Sequence, residues 1–297
     1  MSGNPIIFDR PLLRSRRRRA RALGPETFLL DRVAADLAER LGAVLRQFDI
    51  AVDLGTPTEA VRAACTGLAS IGTLIAANPD VAAQDAPAVA ADEEALPFRD
   101  GALDLVVSAL ALQFVNDLPG ALIQIRRALK PDGLFLAAML GGDTLTELRQ
   151  SFAEAEAELE GGVSPHVASF IDVRQMGGLL QRAGLALPVT DVDRLTVRYS
   201  SAFTLMAELR RMGATNALAE RRRTPLRRAT LLRMAEIYAK RFADSDGKIR
   251  ATFEIVWLSG WAPHESQQKP LRPGSAQSRL ADALGTREIG TGEKPDG

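Results

Sequence analysis

The chain has 297 residues, 46% of them hydrophobic and 25% charged, enough to bury a full core as one α/β domain with additions or as two small domains. Its formal net charge of zero argues against a general nucleic-acid binder. A single cysteine, Cys65, excludes an intramolecular disulfide framework and suits a reducing compartment, and no apolar run approaches the ~20 residues of a membrane span.

Taken in chain order, the first feature is "RSRRRRARA", which places six arginines within residues 14–21. It reads as a solvated arm or helix face, or as a contact to an anionic partner or membrane surface. Residues 1–25 form this Arg-rich arm, ahead of a domain expected over 26–263. Residues 26–46 carry Leu30, Val33, Leu37, Leu41 and Val44 on one helical face. "FDIAVDLG" (48–55) reads as a strand, "TEAVRAACTGLA" (58–69) as a helix with Cys65 as buried filler, and "IGTLIAAN" (71–78) as a second strand. Runs of buried-strand length follow at 104–112 and 133–140, separated by a helix over 118–129 that Pro131 and Gly133 stop. This alternation predicts a doubly wound, mostly parallel sheet with helices on both faces.

Beyond residue 142 the texture changes. A polar helix over 143–160 is expected to be capped by Asp143 or Thr144. Then come a helix over 172–185 ending at Gly184, a strand over 189–199 with one wet face, helices near 203–212 and 229–242, and a strand over 249–261. The segment 203–243 is thus a helical insertion before the last strand. From His264 to the end, richness in Gly, Pro, Ser and Gln predicts a mobile tail.

In such a sheet, ligands bind at the carboxyl ends of the strands, beside the point where strand order reverses. The segments there are "DLGTPTE", "AANPD", "ADEEALPF", "SALALQFVND" and "MLGGDTL". The stretch from "ADEEALPF" to "MLGGDTL" resembles the class I S-adenosylmethionine-dependent methyltransferases, in the branch that includes the malonyl-carrier-protein O-methyltransferase of biotin synthesis. The likeness is closer to the complex I assembly factors that have the methyltransferase (Rossmann-like) fold and hydroxylate an arginine of a complex I subunit. It rests on "FDR" (8–10), "GGDTLTELR" (141–149), "EGGVSPH" (160–166), "LMAELRRMGATN" (205–216) and "GWAPHESQQKP" with "GSA" (260–276).

The resemblance implies S-adenosylmethionine as ligand and a respiratory-complex subunit as partner or substrate. The protein would then be cytoplasmic in a bacterial-type cell, peripheral to the inner membrane, or in the mitochondrial matrix of a eukaryote. It also implies an adenine contact at Asp92 with Glu93 beside it, a ribose contact at Asn78, where a carboxylate is usual, and further cofactor contacts at Asp53, Gly55, Thr56 and Ser108. Asp143, His166 and Gln113 become the catalytic candidates, Gln113 with Phe114 facing the acceptor side. Trp261 and Phe253 read as core. No metal site is expected, since a non-haem iron centre would require both His166 and His264 with Asp143 or Glu265.

One stretch reads differently on its own terms. "TPTE" spells a capping box, with Thr56 at the N-cap, Pro57 at the first helical position and Glu59 at the third. Such a helix satisfies its own end amides, and Glu59 adds negative charge where a cofactor carboxylate would lie. Pro57, Glu59 and Asn78 together point to a non-catalytic assembly chaperone that kept the fold and lost the cofactor. An ordinary malonyl-carrier-protein or small-molecule O-methyltransferase is the remaining alternative.

Overall fold

The computed structural model describes residues 6–79, 87–268, 285 and 286. Its contacts separate Met1–Pro263 from a second unit, His264–Gly297. The tail expected from His264, including "GSA" at 274–276, lies mostly outside the described residues. Within its described part the His264 Nδ1 is hydrogen-bonded to the Ser266 hydroxyl at 2.7 Å.

The first unit carries seven strands: β1 (Phe48–Leu54), β2 (Ile71–Asn78), β3 (Ala88–Ala90), β4 (Leu103–Ala109), β5 (Leu129–Leu140), β6 (Ala186–Tyr199) and β7 (Ile249–Trp261). They form one sheet in the order β3-β2-β1-β4-β5-β7-β6. β1 to β5 pair in parallel, and β7 runs antiparallel between β5 and β6. Strand order reverses between β1 and β4, so the carboxyl ends of these two strands flank the switch point.

Among the described residues eight α-helices accompany the sheet: α1 (Arg10–Ala22), α2 (Phe28–Gly42), α3 (Ala60–Cys65), α4 (Leu118–Ala128), α5 (Thr146–Leu159), α6 (Val173–Arg182), α7 (Ala202–Arg211) and α8 (Arg228–Phe242). The central strands alternate between two cores. Leu105 and Val107 of β4 and Leu134 and Leu136 of β5 pack with α2, α5, α7 and α8. Val106, Phe135 and Ala137 pack with α4 and α6 on the opposite face. The period of two with apolar residues on both faces is what a central parallel strand requires. β6, at the edge, alternates half-buried and exposed positions along most of its length, the one wet face expected from its sequence.

Several boundaries differ from the sequence reading, each for a tertiary reason. The helix read over 58–69 shrinks to α3, and its N-cap Glu59 makes no capping side-chain bond. The predicted capping box at Thr56 is overturned, because the Thr56 hydroxyl donates to Asp53 Oδ1 and accepts from the Ala109 amide at 3.1 Å. Glu59 is ion-paired with Arg62 at 2.8 Å, so the excess negative charge expected there is neutralised. Neither Asp143 nor Thr144 caps α5. The helix starts at Thr146, after Leu145 in the left-handed region (φ 53°), while Thr144 accepts from the Glu254 amide at 3.1 Å. β4 ends at Ala109, and Leu112–Phe114 forms a single 3₁₀ turn instead of continuing the strand.

The Arg-rich segment is helical. Asp9 caps α1, its carboxylate accepting from the Leu12 amide at 3.0 Å, and Pro11 lies in the first turn, where a missing N–H costs nothing. The segment after α7 holds α1 in place. The Asp9 amide donates to the Ala217 carbonyl at 2.8 Å, the Ala219 amide to the Ile7 carbonyl at 2.8 Å, and a Cβ on Gly213 (φ 70°) would stand 3.2 Å from the Arg17 Cα.

Candidate functional site

The switch point is laced by short polar contacts. Ser108, fully buried in β4, donates its hydroxyl to the Leu54 carbonyl at 2.7 Å, so it ties β4 to β1. Asp53 is buried at the end of β1, and burial pushes its carboxyl up to about 7 against the hydrogen bond from Thr56, with Glu59 raising it further. Gly55 follows with φ 75°, and a Cβ there would lie 2.6 Å from Glu93 Oε1 and 3.0 Å from the Ala111 Cβ. Only glycine lets the β1 turn and the acids after β3 approach this closely. Asn78, half-buried at the end of β2, accepts from the Ala91 amide through its carbonyl at 3.1 Å. Cys65 is buried, and burial together with Asp53 pushes its thiol up to about 11, which leaves it an inert packing group.

The acids after β3 meet α1. Arg10, 11% exposed, pairs with Asp92 at 2.8 Å, with Glu93, and with Glu94 at 3.2 Å. Arg14 pairs with Asp92 at 2.5 Å, and Arg17 stands 4.0 Å from Glu93. Burial lowers the pKa of Arg10, but Glu93, Asp92 and Glu94 outweigh it and raise the pKa overall. Between α1 and these acids, beside Pro79, Ala111 and Phe114, only about 10 Å³ is open, the space of one water.

Toward the C-terminal end of α1 lies a much larger cavity, about 310 Å³, under α1 and α7 and over the carboxyl ends of β4 and β5. Its walls are mostly apolar, among them Leu29, Phe114, Leu148, Met206 and Phe253. Leu110 (φ 50°) and Leu145 (φ 53°) also line it, immediately beyond β4 and just past β5. Each left-handed leucine costs about 1–3 kcal/mol, and strain of this kind concentrates where a site is shaped. The backbone bonds that hold them are Leu110 N–H to the Ala138 carbonyl at 2.9 Å and Leu145 N–H to the Thr252 carbonyl at 2.7 Å.

Two of the three catalytic candidates line this cavity. Gln113, 6% exposed, donates through Nε2 to the Leu110 carbonyl at 2.8 Å, while its Oε1 is buried with no donor among the described residues. His166 stacks on Phe152 with ring centroids 4.0 Å apart, and its Nε2 is hydrogen-bonded to Glu156 Oε1 at 2.8 Å. Glu156, 1% exposed, also accepts from the Ser164 hydroxyl at 2.7 Å and the Ser164 amide at 2.6 Å. Burial opposes its charge, but the bonds from His166 and Ser164 prevail and hold its carboxyl below the ordinary value. The third candidate, Asp143, is not part of the cavity. It is exposed and paired with Arg194 at 2.5 Å, which also pairs with Glu254 at 2.9 Å.

Glu156 escaped the sequence reading because it sits in the run "AEAEAELE", where every glutamate resembles a solvated helix face. Its signal was the inward period of α5, shared with Leu148, Phe152 and Ala155. Phe253 is buried and edge-on to Phe28, whereas Trp261 is half-buried beneath Arg46. Among the described residues no group of three His, Cys, Asp or Glu stands close enough to hold a metal ion, and no helix is long and apolar enough to cross a membrane.

Comparison with known proteins agrees with this architecture. The family described as "Methyltransferase domain" matches residues 48–137, from β1 into β5. The mitochondrial arginine-hydroxylase NDUFAF5 of Danio rerio is 38% identical over 289 residues, covering 93% of this chain and 89% of that one. The malonyl-[acyl-carrier protein] O-methyltransferase of Laribacter hongkongensis is 40% identical over 190 residues, covering 64% of this chain and 61% of that one. A putative methyltransferase from Bacillus halodurans superposes with a TM-score of 0.52 at 14% identity, over 77% of this chain and 99% of that one, a likeness of fold alone. The likeness to NDUFAF5 thus covers nearly the whole chain, which belongs to the methyltransferase-domain family of the arginine-hydroxylase NDUFAF5.

Proposed function

We propose that this protein modifies an arginine side chain of a respiratory-complex subunit, using S-adenosylmethionine held at the carboxyl ends of β1 to β3. The observation that carries the reading is the buried, donorless Oε1 of Gln113 in an otherwise apolar cavity. A guanidinium has five N–H donors and no acceptor, so it supplies what Gln113 lacks, while its aliphatic stem suits the apolar walls. A methyl or carboxylate acceptor offers that oxygen nothing. Near full-length similarity to proteins named arginine-hydroxylase supports the same choice.

The residues beside the N-terminal half of α1 suit the cofactor in kind. Asp92 and Asn78 offer hydrogen-bonding groups to a nucleoside, and the Gly55 turn permits close backbone approach. When bound, S-adenosylmethionine supplies a sulfonium-activated carbon. His166, held through Nε2 by Glu156, has Nδ1 left to hold or move a proton at the cavity wall. Asp53, near neutrality at its carboxyl, presents little fixed charge at the turn.

One observation favours a second reading. Arg10 pairs with Asp92, Glu93 and Glu94 and Arg14 with Asp92, so these acids reach a nucleoside only if α1 moves, as suits a scaffold without cofactor. Two measurements separate the readings. Calorimetry with S-adenosylmethionine should give a saturable heat, and incubation with the subunits of a respiratory complex should add about 14 mass units at one arginine where the sulfonium methyl is transferred, or about 16 where added dioxygen and a two-electron reductant deliver one oxygen and release water. No heat at millimolar ligand and no mass change on any subunit would leave the scaffold.

A further inference from the structure

The cavity's mouth carries a charge pattern that its apolar interior does not explain. Five arginines line it: Arg16, Arg17 and Arg21 from α1, Arg210 and Arg211 from α7. Among the described residues Glu26 is the single carboxylate in the lining, and it stands 3.8 Å from Arg211. Arg16 and Arg210 make no ion pair among the described residues. The Arg16 guanidinium donates only to the Asn216 carbonyl, although the side chain is half-buried. Burial, together with Arg221 and Arg19, lowers the Arg16 pKa, the mark of a cation crowded by other cations. Arg18 and Arg19 extend the patch outward along α1, exposed and also without an ion pair among the described residues.

A guanidinium entering alone would cross this ring of like charge. Arg16, Arg18 and Arg19 on α1 and Arg210 on α7 have no carboxylate partner among the described residues, so an occupant that brings several anions at intervals matches them. The cavity floor, in contrast, asks for a donor at Gln113. A fatty acid or other single-headed anion meets neither demand. A protein segment with acidic residues on both sides of an inserted donor side chain meets both.

We infer that the α1 and α7 arginines form a docking rim for an acidic segment of the partner protein, whose glutamates or aspartates flank the residue inserted into the cavity. The inference rests on the arginine-modifying reading only for the identity of that inserted residue. Complementary charge of this type steers encounter and fixes register, and it weakens with ionic strength.

Labelled peptides of about ten residues, long enough to span the mouth at ~3.3 Å per residue, test it by fluorescence anisotropy on the full chain. Four peptides are needed: a central arginine flanked by glutamates, by serines or by lysines, and a central norleucine flanked by glutamates. The glutamate-flanked arginine peptide should bind about 10- to 100-fold tighter than the lysine-flanked one in low salt, a few exposed ion pairs' worth. That preference should collapse near 0.5 M salt, an ionic strength at which the screening length falls to about 4–5 Å. It should also be lost in Arg210→Glu and, independently, in the exposed pair Arg18→Glu with Arg19→Glu, whose folding is checked by circular dichroism. Equal affinity for all three flanks overturns the inference while leaving the arginine reading intact. Equal binding of the norleucine and arginine peptides, with the flank preference kept, overturns the arginine reading while supporting the rim. Phosphatidylglycerol vesicles bound through the same arginines, with no peptide binding, overturn the inference in favour of a lipid surface.

Discussion

If α1 must lift to admit a nucleoside, its docking free energy is subtracted from cofactor affinity, and weakening the dock should tighten binding. The perturbation is Arg10→Ala. Arg10 is nearly buried and serves Asp92, Glu93 and Glu94 at once, with only Arg14, partly exposed, and Arg17, at 4.0 Å, left to replace it. Stranding a buried carboxylate costs about 3–5 kcal/mol if it stays buried, but Glu93 can escape into water when α1 lifts, so the helix absorbs part of that cost. A loss of about 1–3 kcal/mol of docking energy shifts the closed-to-open ratio by roughly 5- to 150-fold. Apparent affinity for S-adenosylmethionine should rise by up to that factor, saturating once the open form dominates. Titration calorimetry reads the affinity, and hydrogen exchange of residues 10–22 verifies that the helix has loosened. The exposed Arg18→Ala should change neither. If exchange in α1 accelerates while affinity falls or stays constant, α1 is a wall of the site and not a barrier to it, and the reasoning fails.

Three further outcomes are expected. Asp53→Asn should be more stable than the parent at pH 8 and lose that advantage by pH 4. The buried carboxyl has its pKa raised to about 7, so its stabilising protonated form is complete below the unfolded value near 3.8 and is lost as pH rises through 7. Thermal denaturation should show a difference of about 2–4 kcal/mol at the alkaline end, and parallel pH profiles for the two proteins would refute the burial account. Gln113→Leu should change stability by no more than about 1–2 kcal/mol, since removing the orphaned acceptor offsets part of the lost bond to the Leu110 carbonyl, and should weaken arginine-peptide binding about tenfold; peptide binding unchanged in anisotropy would remove Gln113 from the site. Glu156→Gln should keep the fold, since Ser164 and His166 can still bond an amide, yet lower the rate of arginine modification by up to about 100-fold, because the imidazole loses the carboxylate that fixes its orientation. An unchanged rate would make the pair structural.

The sheet was legible because its central strands are buried on both faces and read as unbroken apolar runs, as at 104–109 and 134–140. What failed did so where tertiary contacts overrule local grammar. "TPTE" has every letter of a capping box, but Asp53 and the Ala109 amide claim the Thr56 hydroxyl, and those partners become visible only once β1 and β4 are side by side. Asp143 looked like a cap and a catalytic acid, and it is instead held by Arg194, 51 residues away in sequence. His166 and Gln113 were reachable because they sit in the lid motif and just past a strand end, where ligands bind. Glu156 was not, since its partners lie 8 and 10 residues further on in a loop with no period. The arginine cluster was read as a solvated arm or helix face, and its contacts as helix α1 were missed, because the acids that Arg10 and Arg14 bind lie 83 and 78 residues further on.

That helix has a consequence for how the two halves of the site communicate. Residues 10, 14 and 17 follow the spacing of one helical face, and that face grips the acids after β3. Arg17 and Arg21 continue that face toward the end of the helix, Arg16 stands beside it, and all three line the cavity. Arg17 belongs to both: it stands 4.0 Å from Glu93, and its guanidinium lies 5.6 Å from the centroid of the cavity residue Phe114. A rotation or lift of α1 that frees Asp92 for a nucleoside therefore moves part of the docking rim and part of the cavity wall with it. Under the cofactor reading, binding at one end of α1 and docking at the other are linked through a single rigid element, and linkage is reciprocal. An acidic peptide that fixes α1 down should weaken S-adenosylmethionine binding by the same factor by which the cofactor weakens the peptide. If instead each tightens the other, the peptide must hold α1 in a raised position, and Arg10→Ala should then strengthen both. Equal and independent affinities in the double titration would show that α1 stays still, and the acids after β3 would be a structural clasp.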